Sequence, residues 1–222
     1  MYLTRFAVNP ARRGSRKLLS SPHALHAAIL SGFPPDLGHP DPTLAGRVLW
    51  RLDRGLDHST LLYISSPTPP DLTHLVEQAG WPTTQAWETR DYEPMLSRLE
   101  AGQRWAFRLT ANPVRHVRTQ DSDAKTKPRG HVTADQQLGW LLSRTATLGI
   151  DVHPPQEESP AVLVSDRRTT RFGRNGSTVT LVTATFDGRL HVTDASLLRQ
   201  ALVNGVGRAK GYGCGMLTLA PL

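Results

Sequence analysis

Two periodicities alternate along this chain in an order that few folds accommodate. YLTRFAV alternates strictly, is rich in β-formers and is stopped by Asn9-Pro10, so it reads as a strand. ARRGSRKLL reads as a short basic helix. SSPHALHAAILSGFPP is a clearer one: Ser20 or Ser21 can cap it, Pro22 suits its first turn, and Gly32 and Pro34 stop it. GRVLWRLD and STLLYISS read as two antiparallel strands joined through Gly55 and Asp57. PPDLTHLVEQAG is a helix with Pro70 and Asp71 at its start, and a weak strand near 83–88 completes β-α-β-β-α-β. That is the ferredoxin-like order.

The second half repeats the plan without residue-by-residue similarity. QRWAFRLTANPVRHV is a long strand broken by Asn112-Pro113, and RTQDSDAKTKPRGH is a polar, charged loop. TADQQLGWLLSRTATLG is an amphipathic helix with Thr133 as its cap and Leu138, Leu141 and Leu142 as apolar points. AVLVSDRRTTRFGRNGSTVTLVTATFDGRLHVT holds two or three strands, with turns at Arg174-Asn175-Gly176 and at Asp187-Gly188. DASLLRQALVNG is a helix capped by Asp194, and MLTLAPL is the last strand. The expected class is α+β: two tandem ferredoxin-like (RRM-like) βαββαβ domains, divided into 1–95 and 96–222.

Charge divides along the same line. Residues 1–95 hold 9 Lys+Arg and 9 Asp+Glu, whereas 96–222 hold 17 and 10, so the second half carries the whole net charge of +7. Everything charged before Asp36 is nevertheless positive: Arg5, Arg12, Arg13, Arg16 and Lys17. Clustered excess of this kind fits a polyanion, with nucleic acid first and a membrane surface second; general solubility is the plain alternative. The single cysteine, Cys214, allows no intramolecular disulfide and lies between glycines leading into an apolar strand, which argues against a nucleophile. No run approaches the roughly 18 apolar residues of a membrane helix. MYLTRFAVNP lacks a basic segment ahead of an apolar core of signal-peptide length. A cytoplasmic protein without membrane association is expected.

The ending, GVGRAKGYGCGMLTLAPL, sets glycines at 205, 207, 211, 213 and 215 around Arg208 and Lys210. A P-loop needs Gly-x-x-x-x-Gly-Lys-Ser/Thr feeding a helix; here Gly211 follows Lys210 and a strand comes next. The dinucleotide fingerprint also needs a helix after its glycines. Two readings survive. In one, Gly205, Gly207, Gly211 and Gly213 let the backbone approach nucleic acid while Arg208 and Lys210 meet its phosphates. In the other, the segment is a tight α-to-β connection needing positive φ, which one or two glycines would serve.

This ending resembles the glycine-rich C-terminal signature of the CRISPR repeat-processing endoribonucleases. MYLTRFAVNP, LHAAILSGFP and RWAFRLTANPVR narrow the resemblance to the CasE family of type I-E systems, from the first strand to the last residue. The resemblance implies two tandem ferredoxin-like domains. It implies metal-independent cleavage of the repeat RNA at the base of its hairpin, and an enzyme that stays on its product as a subunit of the Cascade complex. It places the functional histidine at His26. A tyrosine is familiar in the family one helical turn earlier, where this chain carries His23.

The residues support such chemistry. At about 100° per residue, Leu25, Ala28 and Ile29 share one helix face, and His23, His26, Ala27 and Leu30 the opposite one. Cleavage by an RNA's own 2′-OH needs a proton taken from that hydroxyl, one given to the departing 5′-oxygen, and stabilisation of the added phosphate charge. Imidazole, with an ordinary pKa near 6.5, suits the proton transfers. The products would be a 2′,3′-cyclic phosphate and a 5′-hydroxyl, with no cofactor. His26 is the expected main acid or base, and His23 its partner or an RNA-positioning group. A His-x-x-His pair can also ligate metal, but no convincing third and fourth ligands accompany it.

RNA would be held by basic segments. SDRRTTRFGRNGS places Arg167, Arg168, Arg171 and Arg174 on a hairpin, where they would follow the phosphates and shape of an A-form stem. Lys125, Lys127 and Arg129 form a second basic loop, and Arg12, Arg13, Arg16 and Lys17 precede the histidine helix. An aromatic content of 6% does not supply the paired aromatics of a base-stacking sheet, which favours hairpin recognition by basic loops. The competing functions are a hairpin-binding subunit without activity and a DNA-binding protein. DNA lacks the 2′-OH, and no helix-turn-helix pattern is present. The free protein is expected to be a monomer.

Overall fold

The computed structural model describes residues 1–34, 46–55, 57–82, 86–117, 127–153, 160–174 and 176–222. The first unit opens with β1 (Tyr2–Val8), α1 (Arg13–Ser20) and α2 (Pro22–Leu30). It continues with β2 (Leu49–Arg54), β3 (Thr60–Ser66), α3 (Thr73–Ala79) and β4 (Trp87–Asp91). The sheet runs β2-β3-β1-β4, with every pairing antiparallel. Placing the first strand in the centre, flanked by the third and fourth, is the ferredoxin-like topology inferred from element order. The alternation of β1 explains its position: Phe6 and Val8 are buried under the helices with Leu25, Ile29, Leu62, Ile64 and Leu75, while Arg5 and Ala7 are exposed.

A short helix, α4 (Glu93–Ser97), leads into the second unit: β5 (Arg104–Ala111), β6 (Val114–Val117), β7 (Lys127–Gly130), α5 (Ala134–Leu142), α6 (Thr145–Leu148) and β8 (Ile150–Asp151). Then come β9 (Val162–Arg174), β10 (Ser177–Val192), α7 (Ala195–Asn204), a 3-10 turn (Lys210–Tyr212) and β11 (Leu217–Ala220). Its sheet runs β11-β5-β10-β8, and β9 pairs with β10. Phe107, Leu109, Phe186, Trp140, Leu141, Leu198 and Leu202 form its core.

Several local expectations shift. Asp187-Gly188 is no turn: β10 runs straight through it, paired with β5 on one side and β9 on the other. The glycine serves close approach, since a Cβ there would lie 2.2 Å from the Ala161 carbonyl oxygen. The supposed loop ending KPRG contributes β7, whose backbone pairs with that of β6. The helix from Thr133 breaks into α5 and α6, with Ser143 and Arg144 both donating to the Trp140 carbonyl. Its buried positions are Gln137, Trp140 and Leu141, while Leu138 and Leu142 are only partly covered. α3 starts at Thr73, and Asp71 accepts the Thr73 N–H from just outside it. The weak strand lies at Trp87–Asp91, overlapping the expected 83–88 only at its end.

The units meet along β2 and β11. Arg51 is 3% exposed and grips Asp53 through two nitrogens. Its Nη1 donates to the carbonyls of Arg108 and Met216 and to Thr218 Oγ1. Arg108 in turn pairs with Asp53 at 3.5 Å and with Asp187. Side chains of one unit thereby satisfy backbone groups of the other.

Candidate active site

The site is built on α2. Ser21 Oγ accepts the Ala24 N–H and Pro22 occupies the first turn, as the capping pattern requires. Leu25 and Ile29, 3% and 0% exposed, anchor the helix. His74 Nε2 donates to the Ala28 carbonyl at 2.7 Å and ties α3 to α2. The opposite face carries an exposed His23 and a half-buried His26.

Two segments distant in sequence enclose His26. From β2, the Trp50 indole Nε1–H donates to His26 Nδ1 at 3.2 Å. From the glycine-rich connection, Gly211 lies against the other side: a Cβ there would sit 3.1 Å from Nε2 and 3.2 Å from Cδ2. Burial, and then the charge of His23, lower the His26 pKa below the ordinary imidazole value.

The glycine-rich connection is more ordered by geometry than its composition suggested. Gly205, Gly207, Gly213 and Gly215 all have φ between +74° and +88°. Val206 N–H bonds the Gly215 carbonyl, and Gly215 N–H bonds the Thr110 carbonyl. Gly213 also leaves space for Trp50, as Gly207 does for Trp140. The idea that a tight connection would need only one or two glycines is therefore wrong: four meet a φ demand and the fifth, Gly211, a steric one. Lys210, half-buried, has its pKa lowered by burial and by the neighbouring Arg47 charge. Arg208 is exposed. Cys214 is fully buried, and burial pushes its thiol up to about 12, which suits packing and not nucleophilic attack.

The β9–β10 hairpin folds over this connection. Phe172 meets Tyr212 edge-on at 4.9 Å and joins Leu181 and Cys214 in a small core. Arg168 and Arg171 are exposed on β9, and Arg168 pairs with Asp166, whose φ of +43° marks a bulge in the hairpin. Arg54, at the end of β2, has its pKa lowered by burial and then by the Arg168 charge of the other unit, against the opposing charge of Asp166.

Other expected cations are scattered. Arg167 is engaged within the unit, donating from Nε to Gln137 Oε1 and from Nη2 to the Val132 carbonyl. Arg12 binds the Val76 and Gly80 carbonyls, so it caps α3. Arg13, Arg16 and Lys17 are exposed on α1, which packs on α2. Arg129 is exposed on β7. Lys125 and the side chains of Lys127 and Arg174 lie outside the described residues. Sequence reasoning missed Trp50, Arg54 and Arg47. For Trp50 a signal existed, because a tryptophan buried in a strand must find an acceptor for its N–H.

Among the described residues, no group of three or more His, Cys, Asp or Glu side chains could hold a metal ion. Among the same residues, no helix is long and apolar enough to cross a membrane.

The sequence model of a family described as CRISPR associated protein matches residues 1–221. The CRISPR-associated endoribonuclease Cse3 of Thermus thermophilus is 28% identical over 228 residues, covering 100% of both chains. The CRISPR system Cascade subunit CasE of Escherichia coli is 28% identical over 198 residues, covering 79% of this chain and 94% of the relative. A structure of the endoribonuclease Cse3 bound to a 19 nt RNA superposes with a TM-score of 0.82 at 28% identity, covering 100% of both chains.

Proposed function

Because the chain belongs to the CRISPR-associated protein family, and within it to the CasE type of type I-E systems, we propose that it is the endoribonuclease that matures CRISPR precursor RNA. It cuts at the base of the repeat hairpin and stays bound as a Cascade subunit. One observation carries the site: the half-buried His26 imidazole, held by Trp50 on one side and bordered by Gly211 on the other.

The reaction balances with two proton-transfer groups and no metal. One takes the 2′-OH proton as the 2′-oxygen bonds to phosphorus. The other gives a proton to the 5′-oxygen as the P–O5′ bond breaks. His26 and His23 fill these roles, being i and i+3 on one helix face and close enough for the His23 charge to act on His26. Lys210 and Arg47 supply positive charge beside the same connection. Arg13, Arg16, Lys17, Arg129, Arg168, Arg171 and Arg208 present exposed charge to the stem's phosphates, while Arg12 and Arg167 act mainly within the fold. Residues 1–95 form the domain with the catalytic helix, and 96–222 the domain with the basic hairpin and glycine-rich connection. The protein works in the cytoplasm and is a monomer when free.

The test is cleavage of the host's repeat hairpin in excess EDTA, beside His26→Ala and a substrate carrying one 2′-deoxy at the cut. One cut at the stem base, ending in a cyclic phosphate and lost in both controls, is the expected result. A hairpin bound tightly but never cut would make the protein a cap without activity.

A further inference from the structure

Among the described residues, Trp81 is the one aromatic in the set of exposed large apolar side chains, with 47% of its surface open. A lone exposed apolar residue needs no explanation. This one is fixed in place beside a cluster of like charge. Arg12 Nη1 donates to the Val76 and Gly80 carbonyls, each at 3.1 Å, which clamps the peptide leading into Trp81. Pro82 follows, and a residue before proline is held to extended backbone.

The start of α1 lies against the same end of α3. The Asn9 N–H and Ser15 Oγ both donate to the Ala79 carbonyl, two residues before Trp81. A Cβ on Gly14 would lie 2.3 Å from the Gln78 carbonyl oxygen, so the two segments touch at backbone distance. From here α1 turns Arg13, Arg16 and Lys17 outward, at i, i+3 and i+4. Like charges at that spacing repel and weaken a helix. No acidic residue within α1 offsets them. Asp71 and Glu77, the acids of the α3 region, line a cavity with Ser31, Phe33 and His74 that no α1 residue borders.

An aromatic face beside a row of cations suits a chain that carries a base and a phosphate at every step. A paired stem keeps its bases inside the stack, so only unpaired nucleotides can lay a base on the indole. We propose that Trp81 and α1 form a platform for the unpaired strand adjoining the repeat hairpin: a base stacks on the indole while Arg13, Arg16 and Lys17 meet the phosphates beside it. The inference rests on the RNA reading above and narrows what α1 meets. α1 packs on α2, the helix that carries His26, which sets the platform next to the helix of the cut.

Two RNA probes test this. The first is the host's repeat hairpin, bare or with an unpaired extension of about eight uridines at either end of the stem. An extension should tighten binding to the parent protein by about 5- to 100-fold, the range expected of one stacked base. Trp81→Ala should lose most of that gain, and the bare hairpin should not distinguish it from the parent. Equal gains in the two proteins, or no gain from either extension, would overturn the proposal. So would a Trp81→Ala protein that binds every RNA normally but assembles poorly with other Cascade subunits, which would make the patch a protein contact. The second probe is a free oligouridine carrying 5-iodouridine, which cross-links under ultraviolet light to an aromatic ring stacked on it. The cross-link should map to Trp81 and vanish in Trp81→Ala; cross-links confined to other residues would overturn the platform. If the parent neither bound nor cut the bare hairpin, the endoribonuclease reading itself would fall, while this cross-link would still decide the platform.

Discussion

Gly211 has no unusual φ, yet a methyl group there would press on the His26 ring at 3.1 to 3.2 Å. The imidazole would have to shift by a few tenths of an ångström. Gly211→Ala should therefore lower the single-turnover cleavage rate by about 10- to 100-fold, because small displacements of a reacting group are costly. Hairpin affinity, measured by filter binding, should stay within about twofold, since the substitution removes no cation from the binding surface. Cys214 makes a different kind of statement. Its thiol is raised from 9.0 to about 12, so the fold favours the neutral form. Its contribution to stability is complete below pH 9 and is lost as pH rises toward 12. Denaturant unfolding across that range should show falling stability, with a shallower fall in Cys214→Ala.

The hairpin of β9 and β10 separates arginines by task. Arg168→Ala and Arg171→Ala should weaken hairpin binding and each reduce the salt dependence of affinity by about one unit of slope, without moving the cut. Titrations at several salt concentrations read this. Arg167→Ala should act on stability instead. It strips the Gln137 amide oxygen, in a residue 1% exposed, of its partner, at a cost of about 1–3 kcal/mol, readable as a lower denaturation midpoint. No sequence pattern separates these neighbours. Alternation puts Arg167 and Arg168 on opposite faces of β9, but only the position of α5 decides which face has work inside the fold. The same holds for α1, where Arg12 lies one residue before the helix and reaches across to the end of α3. Cation clustering was legible as a property of the chain; which cations remain available to RNA was not.

Across the whole molecule, the two units are joined through a charged network. Arg51 is almost fully buried, and its loss would leave Asp53 with a weaker partner and take a donor from the carbonyls of Arg108, on β5, and Met216, just before β11. Arg51→Met should cost about 3–5 kcal/mol in chemical unfolding, the usual penalty for breaking a buried ion pair from one side. Because the same strand carries Trp50 one residue earlier, cleavage should fall along with stability. A variant that lost stability while cleaving normally would show that the junction and the site are independent.

What the chain alone determined was what is encoded within a few residues. The strand of Tyr2–Val8 and its Asn-Pro stop, the Ser21 and Asp194 caps, and the opposition of Leu25 and Ile29 to His23 and His26 are all set by local geometry. Those signals were enough for the element order and hence for the tandem fold. The resemblance carried by MYLTRFAVNP, LHAAILSGFP, RWAFRLTANPVR and the glycine-rich ending pointed to the family and to His26. Contacts between segments far apart in sequence were beyond their reach. Asp187-Gly188 has the composition of a turn, yet runs straight because strands on both sides satisfy its backbone. Five glycines in a row of eleven residues could not reveal that each also gives clearance inside the fold, to Leu49, Trp140, His26, Trp50 and the Val206 carbonyl. The tertiary structure alone decided that an indole from β2 and a glycine from the last connection meet one imidazole from α2. Tautomer and pKa depend on the atoms touching the ring, and packing brings those atoms there from three separate segments.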